Sequence, residues 1–194
     1  PVQLPLFLKL KIMKTIIVPT DFSPVSLNAV NFATDMALVI EANILLFNVY
    51  NIPVSYSDVP LVLVSVEEMK KSSETQLEDL KNKISHRTSG KIKIYTESIL
   101  GNTVDELENL CKKIQPFAVV MGAKGKTGIE KLVFGSTTLT AIRHLTWPVI
   151  CVPQGKEYGK GIRKIGFACD FKQVMETTPV QFIKQMVKEF GAEL

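Results

Sequence analysis

The stretch Met121–Thr137, MGAKGKTGIEKLVFGST, decides the fold that the sequence predicts. It follows the apolar run Phe117–Met121, which is typical of a buried strand that stops at Gly122. Gly122 and Gly125 lie just past this predicted strand, where positive φ would let the backbone approach a ligand closely. The same glycines also fit a second interpretation, a tight turn that packs a helix against the strand.

A helix start follows this loop at Gly135, Ser136 and Thr137. The first N–H groups of a helix have no acceptor within it, and the hydroxyls of Ser136 and Thr137 lie beside them. A strand, a glycine-rich loop and a helix start in this order predict a phosphate site. The loop lysines Lys124 and Lys126 are either phosphate ligands or part of a solvated surface.

On both sides of this stretch, short apolar runs alternate with helical patterns. The predicted strands are 14–19, 43–50, 91–99, 117–121 and 147–152, and the predicted helices begin near Ser23, Ser65, Thr103 and Ser136. This alternation predicts an α/β, Rossmann-like domain with a five-stranded parallel sheet. Pro148, near the start of the last strand, favours a position at the sheet edge.

The helix starts carry capping signals. Ser65 and Glu68 form a capping-box pattern, and Thr103 with Glu106 forms another. The helix that begins at Ser65 is predicted to turn one apolar face inward, with Val66, Met69, Leu77, Leu80 and Ile84.

The loop Pro19-Thr20-Asp21 leaves the first predicted strand at its carboxyl end. In an open parallel sheet, ligands bind outside the carboxyl ends of the strands, at the point where the strand order reverses. We therefore expect this loop to face the loop of Gly122 across one site, with Asp21 as a ligand group. Asp21 alternatively serves only as a cap for the following helix.

Three other kinds of site are not predicted. The segment Gly125–Thr127 imitates the end of a P-loop, but the first glycine of that motif falls at Val120. His86 and His144 have no cysteine or acidic partner at ligand spacing, so no metal site is predicted. Neither a Ser-His-Asp arrangement nor a pair of carboxylates in one cleft can be argued, so no catalytic residue is predicted.

A partial internal repeat follows the main domain. Residues 163–171 parallel residues 14–22 and retain the Asp-Phe pair, which gives a period of about 149 residues. We interpret residues 1–12 as an extension or an expression remnant and 13–153 as one domain. Residues 154–161 are then a linker, and 162–194 an incomplete second copy with one strand and one helix.

Composition and charge indicate a cytoplasmic globular protein. Within residues 13–154 the basic and acidic residues are equal in number, and the excess of basic residues lies outside this range. Nucleic acid is therefore not an expected partner. The apolar N-terminal segment is too short to cross a bilayer, so a membrane is not expected either. The chain has an odd number of cysteines, and none of them has the CxxC spacing of a metal site: Cys111, Cys151 and Cys169. They are predicted to be structural thiols in a reducing compartment.

Together these features resemble the universal stress protein family. The family motif Gly-x2-Gly-x9-Gly-[Ser/Thr] is met by Gly122, Gly125, Gly135 and Ser136, and it is accompanied by Val18–Asp21 and by the ending His144–Val149. The resemblance covers residues 13–153 as a full domain and 162–194 as the start of another. It implies five parallel strands, binding of ATP with Mg²⁺, and a homodimer formed through the last strand.

The resemblance also implies a nucleotide site. The loop after the first strand would shape the pocket, the end of the second strand would offer backbone contacts to adenine, and the glycine motif would hold ribose and phosphates. The implied cofactor-binding residues are, in that order, Pro19, Thr20 and Asp21, then Val49, then Gly122, Gly125, Gly135, Ser136 and Thr137. Asp21 would approach the ribose or the metal-bound phosphates. The loop departs from the family pattern at Ala123-Lys124 and Lys126, where members often have Ser-His and Arg.

Three functions are compatible with these patterns. The first is an ATP-binding, non-catalytic module of the stress response. The second is a slow ATPase or phosphotransfer enzyme, for which Asp21 is the one candidate to orient water or an acceptor. The third is a dimerisation scaffold that binds no nucleotide. The second copy has Ala168-Cys169 in place of Pro-Thr, so we do not expect that half to bind nucleotide.

Overall fold

The computed structural model describes residues 14–51, 65–123, 135–159, 161–168 and 179–194. The chain forms two compact units, residues 1–157 and residues 158–194.

The first unit is built on a sheet of five strands, β1 Thr15–Pro19, β2 Asn43–Tyr50, β3 Ile94–Leu100, β4 Ala118–Ala123 and β5 Val149–Pro153. Their order is β3-β2-β1-β4-β5, and every neighbouring pair is parallel. Every residue of β1 is buried, as expected for a central strand covered on both faces. The predicted five-stranded parallel sheet is confirmed, and Pro148 precedes a strand at the sheet edge.

Four helices cover the sheet, α1 Pro24–Ile40, α2 Val66–Arg87, α3 Thr103–Ile114 and α4 Ser136–His144. α1 packs against β1 and β4, and α2 packs against β2 and β3. α3 and α4 share one core cluster with alternate residues of the strands, such as Ile17, Leu45 and Val119. Since successive strand residues point to opposite faces, this alternation places the two helix pairs on opposite faces of the sheet.

Two predicted boundaries near the carboxyl edge are wrong. β4 continues to Ala123, two residues beyond the predicted end, so Gly122 lies inside the strand. Its backbone is pinned there by the pairing of Met121, Gly122 and Ala123 with β5. The cap of α3 is Asn102 rather than Thr103, because the Asn102 side chain accepts the N–H groups of Val104 and Asp105.

α2 buries three residues against the sheet and is otherwise half-buried or exposed. Its capping box between Ser65 and Glu68 is confirmed. Of the residues predicted to face inward, Leu77 and Ile84 are buried, whereas Val66 is exposed. The third buried residue of the helix is Ser73, one turn before Leu77. A polar side chain thus occupies an inward position that the apolar pattern did not mark.

The second unit contains α5, Val180–Phe190, and one parallel bridge between Lys164 and Glu193. The bridge is made by Ile165 N–H to Glu193 O, 2.8 Å, and Glu193 N–H to Arg163 O, 2.9 Å. The predicted strand 163–168 is therefore reduced to one bridge, since a single partner segment offers few ladder bonds. No residue of α5 is buried. The part of the predicted helix before residue 179 lies outside the described residues.

Candidate functional site

A cavity of about 320 Å³ opens at the carboxyl ends of β1, β2 and β4. This is the point where the chain leaves the β3-β2-β1 side of the sheet and passes to β4, the place at which open parallel sheets bind ligands. The predicted site residues in the described ranges all line it: Pro19, Thr20, Asp21, Val49, Gly122, Gly135, Ser136 and Thr137. Gly125 and the loop lysines lie outside the described residues.

The α1 rim, residues 19–26, is one wall of this cavity. Thr20 extends the β1 ladder by one bond, since its N–H donates to Phe47 O at 2.8 Å. Its hydroxyl oxygen accepts the N–H of Phe22 at 3.0 Å and lies 3.0 Å from Ser26 Oγ. Ser26 Oγ in turn donates to Ser23 O at 3.0 Å. The polar groups of this rim therefore bind one another.

Phe22 makes the turn of this rim possible. Its φ of 61° lies in the left-handed region, which residues other than glycine rarely adopt. The bond from its N–H to the buried hydroxyl of Thr20 stabilises that conformation. The chain then enters α1 at the cap Ser23, whose hydroxyl accepts the N–H of Ser26.

Asp21 stabilises the start of α1 and also lines the cavity. Burial by itself would raise the pKa of its carboxyl group, but hydrogen bonds from Ser23 and Ser26 outweigh that effect and lower the pKa. One of these bonds, from Ser23 N–H to Asp21 Oδ1, is 3.0 Å long. The carboxylate is therefore ionised at neutral pH, and it is the one charged side chain among the described residues that line the cavity.

Gly122 has a packing role between α1 and β4. A Cβ atom at this position would lie 2.5 Å from the carbonyl oxygen of Val25 and 2.9 Å from its carbonyl carbon. The glycine thus allows α1 to approach β4 closely. Its φ is not in the left-handed region, so the expectation of positive φ is wrong at Gly122. The structure favours the alternative interpretation of helix-on-strand packing, although the residue also lines the cavity.

The α4 rim, residues 135–138, is the opposite wall. Gly135 caps the helix with φ −62° and ψ 156°, and it has no side chain to accept the first N–H groups. Thr138 is buried and its Oγ1 donates to Gly122 O at 3.0 Å, which fixes the helix start to β4. Ser136 and Thr137 are exposed beside the cavity. The N–H groups of the first turn and two hydroxyls therefore remain available to a ligand.

Two buried polar residues near the site, and a half-buried third, were not predicted from the sequence. Asn48 Nδ2 donates to Thr20 O at 2.7 Å, and Ser73 Oγ donates to Asn48 Oδ1 at 2.6 Å. Ser73 Oγ also lies 2.6 Å from Ser98 Oγ. The available signals were weak: Asn48 interrupts an apolar strand pattern, and Ser73 lies four residues before the inward Leu77.

Neither of the two thiols in the described residues is a reactive group. Burial, followed by the nearby Glu108 carboxylate, raises the pKa of Cys111 to about 12, and burial also raises the pKa of Cys151. Both are free cysteines held as neutral thiols at physiological pH. The prediction of structural thiols agrees with this environment, while Cys169 lies outside the described residues.

Within the described ranges, no group of three or more His, Cys, Asp or Glu side chains could hold a metal ion. Within the same ranges, no helix has the length and apolar character needed to cross a bilayer.

Comparison with known proteins gives a family. The model of the universal stress protein family matches residues 13–153. A universal stress protein of Methanocaldococcus jannaschii is 31% identical over 149 residues, which cover 74% of this chain and 84% of that protein. The family indicated by the glycine motif is thereby confirmed.

Solved structures agree on the fold. A universal stress protein from Archaeoglobus fulgidus superposes with a TM-score of 0.69 at 20% identity, covering 93% of this chain and 65% of that one. A universal stress protein in complex with cAMP superposes with a TM-score of 0.52 at 20% identity, covering 74% of this chain and 99% of that one.

Proposed function

The chain belongs to the universal stress protein family, and from the groups that line its cavity we propose that it binds an adenine nucleotide. ATP with Mg²⁺ is the proposed ligand, and a non-catalytic, cytoplasmic regulatory module of the stress response is the proposed role. The observation that carries this proposal concerns two sets of groups that face one cavity. Among the described residues, the first N–H groups of α4 have no side-chain cap, and the end of β2 has no partner on its β1 side.

The α4 rim is the proposed phosphate end. The N–H groups that follow Gly135 and the partial positive charge of the helix start favour an anion. A second, open groove of about 660 Å³ shares Thr103, Ser136 and Thr137 with the cavity. The groove thus lies next to the proposed phosphate end of the cavity.

The end of β2 is the proposed base end. Phe47 O accepts from Thr20 N–H on the β1 side of the strand. Val49, two residues later, turns its N–H and C=O to the same side, past the end of β1. One donor and one acceptor at a strand edge can bind the edge of a nucleobase, and the cAMP complex of a family member supports an adenine ligand.

A nucleotide regulates a protein only if it binds one conformational or assembly state better than another. The half-buried strand β5 is a sheet edge, so we propose that the second state is a homodimer formed through that edge. Light scattering with and without ATP tests this, and a monomer under both conditions would contradict it.

Slow ATP hydrolysis is the second candidate, and it is favoured by the ionised Asp21 in the cavity. This carboxylate would orient the attacking water. Phosphate release by the wild-type protein that Asp21→Asn abolishes would support an enzyme. Release at the same rate in both proteins would exclude Asp21 from the mechanism.

Isothermal titration calorimetry with ATP and Mg²⁺ tests the nucleotide site directly. We expect Gly135→Val to weaken binding by at least about tenfold, because it places a branched side chain over the first N–H groups of α4. The substitution should leave the fold intact, since a Cβ at Gly135 meets no atom within 4 Å.

Gly166→Val is the matched control, because Gly166 also has open surroundings and does not line the cavity. It should bind ATP like the wild-type protein. Absence of ATP binding by the folded wild-type chain would instead favour the nucleotide-free scaffold. Equal affinities of the wild-type protein and Gly135→Val would remove α4 from the site.

A further inference from the structure

We propose that Asn48 is a positioning residue for the nucleobase. Its side chain binds the carbonyl of Thr20 and thereby keeps the main-chain N–H of Val49 open at the cavity edge. This inference rests on the nucleotide site proposed above. It adds an explanation of how the Val49 N–H of β2 stays available to bind the base.

The direction of the main-chain groups of β2 follows from its hydrogen bonds. Toward β1, Thr20 N–H donates to Phe47 O at 2.8 Å. Toward β3, Ile44 N–H donates to Lys93 O at 3.0 Å. Alternate residues of a strand turn their N–H and C=O groups to opposite neighbours, so Val49 faces the β1 side.

The hydrogen-bond ladder between β1 and β2 ends with the bond from Thr20 N–H to Phe47 O. In a regular parallel ladder, the bond after Thr20 N–H to Phe47 O would run from Val49 N–H to Thr20 O. Instead, Asn48 Nδ2 donates to that carbonyl at 2.7 Å. The paired register ends at Pro19 with Phe47, and Val49 lines the cavity. The side-chain amide has replaced the main-chain donor.

The orientation of the Asn48 amide is set from α2 and β3. Ser73 Oγ donates its one proton to Asn48 Oδ1 at 2.6 Å. The 2.6 Å contact between Ser73 and Ser98 therefore needs Ser98 as the donor. Every proton in this chain of bonds points toward Thr20 O. A flipped amide would place Asn48 Oδ1 against a carbonyl oxygen, so the network permits one orientation.

Burial makes this network consequential. Asn48 is 8% exposed, and Thr20 and Ser73 are each 4% exposed, so water does not readily replace a lost partner. Removing the Asn48 amide would leave Thr20 O without a donor. Val49 N–H is the next main-chain donor in the ladder, so it would bind Thr20 O in place of the lost amide.

The freed donor has a chemical consequence for the choice of base. Val49 offers one N–H donor and one C=O acceptor on the same side of the strand. On its Watson–Crick edge, adenine presents an amino donor beside the acceptor N1, whereas hypoxanthine presents a carbonyl oxygen beside a protonated N1, which is a donor. Val49 C=O and N–H therefore complement adenine and oppose hypoxanthine. Loss of the Val49 N–H should narrow the preference for ATP over ITP.

Amide hydrogen exchange by NMR, measured without nucleotide, tests whether Asn48 keeps the Val49 N–H free. We expect the Val49 N–H to exchange fast in the wild-type protein and at least about tenfold more slowly in Asn48→Ala, where it binds Thr20 O. Ser72→Ala is the control, because Ser72 is the exposed neighbour of Ser73, and it should leave the exchange rate unchanged. Equal rates in the wild-type protein and Asn48→Ala would overturn the inference.

Calorimetry with ATP and ITP tests the consequence for binding. We expect Asn48→Ala to reduce the ratio of the two affinities about fivefold to tenfold, which is the effect of one hydrogen bond. A merely structural role would weaken both nucleotides equally and leave the ratio unchanged. Ser73→Ala, which keeps Asn48 but removes its orienting donor, should reduce the ratio less, and it replaces Asn48→Ala if that variant does not fold.

The outcomes separate the two proposals. A wild-type protein that binds neither nucleotide would overturn the proposed function, and this inference with it. A wild-type protein that binds ATP, together with an unchanged ratio in folded Asn48→Ala and Ser73→Ala, would overturn the role of Asn48 alone.

Discussion

The α1 rim and the α4 rim face the same cavity but differ in how their polar groups are used. In the α1 rim, Thr20, Ser23 and Ser26 bind one another and the main chain. In the α4 rim, Gly135 provides no capping side chain, and the hydroxyls of Ser136 and Thr137 remain exposed. One wall is structurally complete, and the other leaves hydrogen-bonding capacity for a ligand.

This difference separates stability from binding. A change in the α1 rim breaks bonds that already exist in the ligand-free protein, so it should appear as a loss of folding free energy. A change in the α4 rim removes groups whose partner is the proposed nucleotide, so it should leave folding nearly unchanged and weaken binding. The same chemical substitution made in both rims can test the contrast.

The largest expected difference comes from two glycines: Gly122 of β4, which packs against Val25 of the α1 rim, and Gly135 of the α4 rim. Gly122→Ala should lower the free energy of unfolding by about 3 kcal/mol, since overpacking against backbone is poorly relieved. The new Cβ would lie 2.5 Å from Val25 O at the start of α1. Gly135→Ala should lower it by no more than about 1 kcal/mol, the usual cost of alanine at a helix cap.

Urea denaturation of both variants measures this difference. Comparable losses in the two variants would show that close packing at Gly122 does not distinguish the rims.

The threonines of the two rims give the next contrast. Thr20→Val should destabilise the protein by about 2 kcal/mol. It leaves the half-buried Phe22 N–H without its acceptor and removes one partner of the buried Ser26 hydroxyl. Thr137→Val should leave the melting temperature within about 1 °C of the wild-type value, as is usual for an exposed residue, and should weaken ATP binding.

Thermal melts and calorimetry on the same preparations check both halves of this prediction. A stable Thr20→Val protein would contradict the account of the α1 rim. A Thr137→Val protein with wild-type affinity would show that this hydroxyl does not contact the ligand.

Much of this arrangement follows from local sequence patterns. The β-branched run of β1 and the alternation of strands and helices predict a parallel sheet. The rule for ligand sites in such sheets then places Pro19-Thr20-Asp21 and the glycine motif at one edge. These inferences need only periodicity and topology, which the sequence carries, and the fold they predict is confirmed.

The features that local patterns leave open or miss depend on the register between distant elements. Gly122 must be a glycine because Val25 of another element approaches it, and nothing near Gly122 in the sequence shows that approach. Asn48 and Ser73 meet across 25 residues of sequence. A polar residue in an apolar strand marks a candidate, but its partner is set by strand register and helix docking, which local periodicity does not determine.

Asp21 is hydrogen-bonded within the α1 rim and is also exposed to the cavity. Among the changes that test the contrast between the two rims, its substitution has the smallest expected effect. Burial raises the pKa of its carboxyl group, but the hydrogen bonds from Ser23 and Ser26 prevail and lower it. A lowered pKa in the folded state means that the ionised form stabilises folding above the unfolded-state pKa. This stabilisation is lost as the pH falls through the folded-state pKa.

Asp21→Asn should therefore lower the melting temperature slightly at pH 7, by an amount equivalent to about 0.5 kcal/mol or less, because the carboxylate is largely solvated. The difference from the wild-type protein should shrink as the pH falls below about 4, where the wild-type carboxyl group is also protonated. Melting curves between pH 3 and pH 7 (roughly the window in which carboxyl groups titrate) measure it. If the difference in melting temperature instead grows on acidification, burial rather than hydrogen bonding determines the pKa of Asp21. The description of Asp21 as a hydrogen-bonded part of the α1 rim would then be wrong.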